Sequence, residues 1–466
     1  MTDMPEVIRL TLQQHGQEHV LAWWDRLDEI RRQHLLRDLQ RIDFAEVQSL
    51  YARREQKESL PERARIQSLP HPSFDQAQAH AFRARGEEAL RRGEVAFLVV
   101  AGGQGTRLGF NHPKGMFLIG PVSHKSLFQI HAEKILALRQ RYQVALPFLI
   151  MTSPATDEET RQFFAARQFF GLPQDDIWFF CQGTMPAVDL RTGRLCFEKP
   201  GMLCLSPNGH GGTLTGLRDS GLLDKLEQRG IRTISYFQVD NPLTKLADYV
   251  FLGRHLAEQA QISSKILPKT GPQEKVGNFA LVDGRCAMIE YSDLPEAWAK
   301  ETDAKGELVF WAANPAIHLF DVAFIRHVMQ EASRLPWHVA RKKVPCINEQ
   351  GETITPAQEN ALKFERFIFD VLPQAERWTV LPTSREEEFA PVKNADGVDS
   401  AATARQAMCN QAARWLRQAG VEVPLDAKGN AAKMVEISPL FAMDADDVRA
   451  KVQGMQRIEQ DTYFGE

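Results

Sequence analysis

Residues 95–115 read VAFLVVAGGQGTRLGFNHPKG: an apolar strand, a glycine-rich turn, then an arginine and a lysine. The run Val95–Val100 is short, apolar and rich in valine, which predicts a strand buried on both faces. Gly102, Gly103 and Gly105 allow the backbone to turn sharply and to approach a ligand where a Cβ would collide. Arg107 and Lys114 put positive charge where phosphate charge would gather. On spacing alone the same residues also describe a tight strand-to-helix turn with two surface cations. Two familiar phosphate patterns do not fit. The dinucleotide pattern G-x-G-x-x-G fails because Gly103-Gln104-Gly105 is followed by Gly109, one residue late, and no P-loop run ending in Gly-Lys-Ser/Thr occurs.

Outward from this stretch, strands and helices alternate to about Leu381. Strands are predicted at Val95–Val100, Leu146–Met151, Ile177–Cys181, Ile231–Val239 and Ile262–Leu267, with helices near 126–142, 156–169, 245–260 and 321–332. This alternation predicts an α/β domain over 93–381 with a mixed, mainly parallel sheet, its ligand beyond the carboxyl ends of the strands. Residues 1–92 read as a helical N-terminal region. There Leu21, Trp24 and Leu27 recur at helical spacing, a helix over 74–92 is stopped by Gly93, and the Trp23-Trp24 pair is read as core packing. Residues 382–466 read as a small C-terminal region with helical runs near 401–419 and 444–460. Neither a repeat nor a low-complexity segment is present.

The chain has 466 residues, 43% of them hydrophobic and 25% charged, with a net charge of −4. That charge argues against a nucleic-acid surface or an anionic membrane as main partner. No apolar run approaches the roughly 18 residues of a membrane span. The opening MTDMPEVIRL carries acids and lacks the apolar core of a secretory signal. Six scattered cysteines (181, 196, 204, 286, 346 and 409) without a C-x-x-C pair are read as reduced, and the protein as cytoplasmic.

Further motifs bear on chemistry. Ser206–Thr213, SPNGHGGT, is a second glycine cluster, read either as a site of close ligand approach with His210 as hydrogen-bond partner or as a surface loop. Asp240 ends an apolar strand in Val239-Asp240-Asn241, where a carboxylate suits Mg²⁺ beside phosphates or caps the next helix. Glu290 at the end of strand Ala287–Glu290, and Asn314, are each a sugar-binding candidate or a surface polar residue. His318 is read as structural. Lys363–Asp370 alternates aromatic and charged residues, and Lys393 lies in the irregular stretch 388–396 as a solvated charge or a phosphate contact.

The pattern G-G-x-G-T-R-L-G followed by P-K-G resembles that of sugar-1-phosphate nucleotidyltransferases. Together with Cys181-Gln182-Gly183, the SPNGHGG cluster, Val239-Asp240-Asn241, Glu290-Tyr291-Ser292 and PVKNAD at 391–396, it resembles the eukaryotic-type UDP-N-acetylglucosamine pyrophosphorylases of the UTP-dependent sugar-1-phosphate uridylyltransferase family. The likeness runs over roughly residues 80–410. It implies a Rossmann-like nucleotidyltransferase core and assigns Ala101, Gly102 and Gly103 to the uracil, with Gln182 and Gly209 beside them. It further implies that Gly105, Thr106, Arg107 and Lys114 face the triphosphate, and that His210, Gly277, Glu290, Asn314, Phe367 and Phe369 surround the sugar. Lys363 and Lys393 would reach the phosphates and Asp240 would hold Mg²⁺. One departure stands out: the N-acetylglucosamine branch usually has asparagine where this chain has His210, and a G-H-G version resembles the UDP-glucose branch.

The implied reaction joins UTP and N-acetylglucosamine-1-phosphate to give UDP-N-acetylglucosamine and pyrophosphate, by in-line attack on the α-phosphorus. Catalysis rests on Arg107, Lys114 and Lys393 rather than on a general base. The alternatives are a UDP-glucose or broad UDP-sugar pyrophosphorylase, and a non-catalytic UDP-sugar sensor. A sensor would be expected to have lost Arg107, Asp240 or Lys393, and all three are present.

Overall fold

In the computed structural model, which describes residues 4–56, 60–73, 75–330 and 335–465, Val95–Val100 is a central strand with five of its six residues buried. It belongs to an eleven-stranded sheet. The strands are β1 Ile66–Ser68, β2 Val95–Val100, β3 Phe148–Thr152, β4 Ile177–Cys181, β5 Thr233–Gln238, β6 Ile262–Pro268, β7 Asn278–Val282, β8 Arg285–Ile289, β9 Ala312–Ala313, β10 His318–Asp321 and β11 Trp378–Pro382. Their spatial order is β1-β7-β9-β6-β10-β5-β2-β3-β4, with β8 on β7 and β11 on β6. β5, β2, β3 and β4 pair in parallel, Thr233 opposite Val95, Phe97 opposite Phe148 and Phe148 opposite Ile177. β11 is parallel to β6, and β10 is antiparallel to both of its neighbours. Followed through these pairings, β2 to β7 and β11 point one way, so the sheet is mixed and mainly parallel, as expected.

β2 is apolar throughout, as a parallel strand buried on both faces requires, whereas β5 and β6 carry buried polar residues among their apolar ones, Lys265 included. The helix Leu127–Tyr142 starts where the Ser126 hydroxyl accepts from the Gln129 N–H, and Gln76–Arg91 starts on a reciprocal Asp75–Gln78 capping box. Asp157–Ala166, Tyr249–Ala257 and Val322–Gln330 fall within the remaining expected helices. Phe74, Glu331 and Ala332, which also fall within expected helices, lie outside the described residues.

Three expectations need correction. The N-terminal 92 residues are not helical throughout, since Ile66–Ser68 adds to the sheet edge antiparallel to β7. In the Leu21, Trp24, Leu27 series the first two lie on 3₁₀ turns, Glu18–Leu21 and Trp24–Arg26, and Leu27 is the extended residue that follows, so there is no α-helix here; a strict spacing of three is the 3₁₀ period. Trp24 and Leu27 are buried, as core packing requires. The last helix stops at Lys451 instead of near 460, and Gly454 just beyond it adopts a left-handed φ of 85°.

The chain forms two compact units, each discontinuous in sequence. The small unit combines Met1–Leu60, Gln182–Thr215 and Ser333–Asp370; the large unit combines Pro61–Cys181, Gly216–Ala332 and Val371–Glu466. In the small unit Leu12, Leu35, Leu39, Val47 and Leu50 pack with Val188, Leu195, Leu362 and Phe364. The large unit holds the eleven-stranded sheet and, on the C-terminal helix Ala401–Gln418, a second apolar cluster that includes Leu416, Val435 and Val448. All six cysteines are free thiols. Among the described residues no helix is long and apolar enough to cross a membrane.

Candidate active site

At the carboxyl end of β2 the Ala101 N–H still donates to Met151 O of β3 (2.8 Å), and the chain then leaves the sheet as a loop folded back on itself. Gln104 bridges Pro113, Gly105 N donates to His112 O (2.9 Å) and Lys114 N to Gly103 O (3.0 Å). A Cβ on Gly105 would lie 2.8 Å from the Phe110 carbonyl oxygen, so this glycine serves the loop's own closure. A Cβ on Gly103 would meet nothing within 4 Å: that face of the loop is open. Ser153 Oγ donates to the Gly102 carbonyl (2.8 Å) and fixes the first half of the turn. Thr106 and Arg107 are exposed on a short 3₁₀ turn, and Arg107 has no ion-pair partner among the described residues.

β5 lies beside β2, so the residues leaving both strands are neighbours; Val239 N donates to Val100 O at 3.1 Å. This brings Lys114 to Asp240 across 126 positions of sequence: Nζ donates to Oδ2 at 2.7 Å, with the two side chains 13% and 11% exposed. Asp240 Oδ1 has no partner among the described residues. The 388–393 segment is tied to the same turn. Val392 N donates to Asp240 O (2.9 Å), while Asn241 donates through Nδ2 to Glu388 O (2.6 Å) and accepts at Oδ1 from Ala390 N (3.1 Å). Lys393 follows at once, its ammonium 3.5 Å from an Asp399 oxygen and 5.6 Å from the Phe389 ring centre. Glu388 is itself anchored in the core by Lys265 Nζ at 2.6 Å, which also pairs with Asp248. Burial would lower the Lys265 amine, but the pull of Asp248 and Glu388 outweighs it and the pKa is raised. Asn241 and Glu388 were not singled out by sequence. The only signal was the polar Asn241 directly after the strand-end Asp240; Glu388 offered none, because its partner Lys265 is distant in sequence.

A second group in the large unit contains Gly277, Glu290 and Asn314. Glu290 comes just after β8, one residue beyond the strand end observed at Ile289. Asn314 N donates to Gly277 O (3.0 Å), and a Cβ on Gly277 would lie 3.1 Å from Glu290 Oε1. Asn314 Oδ1 accepts from Ala316 N (2.8 Å), which leaves its amide NH₂ available for another acceptor. His318 is structural as expected: it is 1% exposed and its Nδ1 meets Ser264 Oγ at 2.8 Å.

In the small unit the SPNGHGG cluster is clasped by the segment after strand Ala361–Glu365. Arg366 N donates to Asn208 O and Gly211 N to Arg366 O, each at 2.8 Å. A Cβ on Gly209, whose φ is +84°, would come within 2.3 Å of Arg366 O, so the close approach these glycines permit is that of the chain's own backbone. The clasp brings His210 against Phe367 and Phe369, with ring centres 5.3 and 5.4 Å away. Ile368 N–H donates to His210 Nδ1 (3.0 Å), which assigns the ring proton to Nε2 and makes that nitrogen a donor. Burial, reinforced by the charge of His338, lowers the His210 pKa to about 4. Gln182 is buried, and its carboxamide has no hydrogen-bond partner among the described residues. Along Ala361–Glu365, Leu362 and Phe364 enter the core while Lys363 takes the opposite face, without an ion-pair partner among the described residues.

Among the described residues there is no cluster of three or more His, Cys, Asp or Glu able to hold a metal. A divalent ion here would rest on Asp240, whose free Oδ1 fits a hard cation that takes its remaining ligands from phosphates and water.

Residues 42–460 match the family model described as UTP–glucose-1-phosphate uridylyltransferase. The chain is 35% identical over 470 residues to UDP-N-acetylglucosamine diphosphorylase 2 of Arabidopsis thaliana, covering 95% of this chain and 91% of that protein. It is also 35% identical over 468 residues to UDP-N-acetylhexosamine pyrophosphorylase-like protein 1 of Xenopus tropicalis, covering 93% and 91% respectively. The crystal structure of the UDP-N-acetylglucosamine pyrophosphorylase of Trypanosoma brucei in complex with an inhibitor superposes with a TM-score of 0.82 at 28% identity, covering 99% of both chains.

Proposed function

The chain belongs to the UTP–glucose-1-phosphate uridylyltransferase family, and from that premise we propose that it converts UTP and N-acetylglucosamine-1-phosphate to UDP-N-acetylglucosamine and pyrophosphate. A phosphate oxygen of the sugar attacks the α-phosphorus in line with the departing pyrophosphate. That oxygen is already anionic, so no general base is needed; charge repulsion and alignment are the obstacles. About six negative charges meet, and fixed cations aimed at the phosphates are the main catalytic resource.

The observation that carries the reading is the Lys114–Asp240 pair. Two side chains chosen for opposite tasks, one for phosphate and one for metal, meet at the carboxyl edge of the sheet with Lys393 held close by in sequence to Val392. A Mg²⁺ ion held by Asp240 Oδ1 would neutralise phosphate charge and orient the leaving group. Lys114, beside this carboxylate, would serve the triphosphate; exposed Arg107 and half-buried Lys393 would add charge around it, with Thr106 and the open face at Gly103 beside them. In the small unit, Gln182 and Gly209 would meet the uracil edge, for which a carboxamide both donates and accepts. Lys363 would face phosphate, and His210, Phe367 and Phe369 the sugar. Gly277, Glu290 and Asn314 would supply further sugar contacts, the free amide of Asn314 suiting an acetamido carbonyl. The cytoplasmic setting expected from the six thiols is part of the same proposal.

His210 favours a second reading, with glucose-1-phosphate as substrate, whereas the relatives above carry N-acetylglucosamine and N-acetylhexosamine names. Pyrophosphate release with UTP and Mg²⁺, run side by side on N-acetylglucosamine-, N-acetylgalactosamine- and glucose-1-phosphate, decides between them. The N-acetylglucosamine substrate is expected to give the highest kcat/KM; strong preference for glucose-1-phosphate would replace the first reading with the second.

A further inference from the structure

Within the large unit, the helix Leu127–Tyr142, the segment 242–250, the helix Ala401–Gln418 and residues 436–444 enclose a half-open cavity of about 220 Å³. None of the residues assigned above to UTP, sugar or metal lines it. Its walls are largely apolar, with Leu138, Leu243, Met408, Trp415 and Ile437 among them.

Most of its charges are already answered. Lys125 pairs with Glu133 at 2.7 Å, Lys245 with Glu387 at 3.3 Å and Arg83 with Glu87 at 3.5 Å. Asp248 pairs with Lys265, Glu436 accepts from the Ser123 hydroxyl and from the Val122 and Ser123 N–H groups, and Asp444 caps the following helix through Asp447 N. Lys134 is the exception. Its Nζ donates to the carbonyl of Pro242 and, at 2.9 Å, to that of Thr244, and among the described residues it has no carboxylate within ion-pair distance. An ammonium enclosed beside apolar walls without a counter-charge is costly, and an anion entering the cavity would relieve that cost. Burial, only partly opposed by Glu388, brings the pKa of this amine down to about 7.

We propose that this cavity is a second small-molecule site, taking an amphiphilic monoanion whose acid group pairs with Lys134 and whose apolar body lies against Leu138, Met408 and Trp415. Lys134 already donates to the carbonyls of Pro242 and Thr244, which leaves the third of its three N–H donors for the occupant's acid.

The test is a calorimetric titration of the full chain, a little below neutral pH and without UTP, with octanoate and separately with 1-octanol. The absence of UTP keeps the result independent of the proposed reaction. Octanoate is expected to bind at one saturable site, about tenfold or more tighter than octanol. Lys134→Met should erase that difference while leaving octanol binding unchanged. Ala247→Phe, at a partly exposed lining position, should weaken both ligands and serves alone if Lys134→Met does not fold. Equal binding of the two ligands, octanoate binding indifferent to the variants, or no saturable binding would overturn the proposal.

Discussion

Arg107 and Lys114 stand on one loop in opposite electrical settings, and their variants should separate accordingly. Arg107 is exposed and without an ion-pair partner among the described residues. Arg107→Ala should therefore leave stability within about 0.5 kcal/mol while turnover falls about 10²–10³-fold, the loss of one transition-state donor. Near-normal turnover would remove Arg107 from the mechanism. Lys114 neutralises a mostly buried carboxylate, so Lys114→Met should cost turnover and also up to about 3 kcal/mol of stability. Adding Asp240→Asn should restore most of that stability and none of the activity, read by thermal melts beside kcat. At this scale the sequence was informative about residue identity and silent about partners. Nothing in Pro113-Lys114-Gly115 announces a carboxylate 126 positions away, because the pairing is set by strand order. His210 shows the same limit: its type was plain, but its donor Nε2 follows from the Ile368 N–H that occupies Nδ1.

Among elements, β2 and β4 were legible to the residue because long apolar runs buried on both faces carry their own signature. Ala312–Ala313 and His318–Asp321 are short and exist only through their neighbours, so no local pattern marks them. β6, expected at Ile262–Leu267, lies at Ile262–Pro268; what its sequence does not reveal is why a lysine sits in its middle, which Asp248 and Glu388 explain by pairing with Lys265. The link between the β5 turn and the 388–393 segment was equally hidden, and it is testable. Asn241 is 3% exposed and spends its carboxamide on Glu388 O, Ala390 N and Leu243 N. Asn241→Ala should cost about 1–3 kcal/mol. If the link positions Lys393, the variant should also lower kcat with little change in KM for UTP and raise the Mg²⁺ concentration needed for half-maximal rate. A stability loss with unchanged kcat and Mg²⁺ dependence would reduce Asn241 to a structural residue.

For the molecule as a whole, the mixed sheet was foreseeable from the alternation of strands and helices, whereas the assembly of each unit from three separated segments was not, since no local composition marks where Gln182–Thr215 leaves the course of the sheet. Buried histidines supply a property that belongs to the whole chain. Burial lowers His131 to about 3, with Lys134 adding to the shift, and lowers His255 to about 4; both lie in the large unit and are at most 2% exposed. His210 in the small unit also falls to about 4. Each is neutral when folded and takes a proton near pH 6.5 when unfolded. Between those values the unfolded chain binds more protons at these sites, so their contribution to stability falls as pH drops below 6.5, levelling off below about 4 for His210 and His255 and below about 3 for His131. Each buried histidine contributes at most about 1.4 kcal/mol per pH unit to that slope. Denaturant titrations across this range should show the decline, and His255→Asn should make it shallower. The slope is the telling quantity, because losing the His255–Ser263 hydrogen bond (2.7 Å) lowers stability alike at every pH, whereas removing the titrating ring changes how stability varies with it. A slope unchanged in the variant would mean that His255 is not neutral in the folded protein for the reason given, its burial beside Ser263.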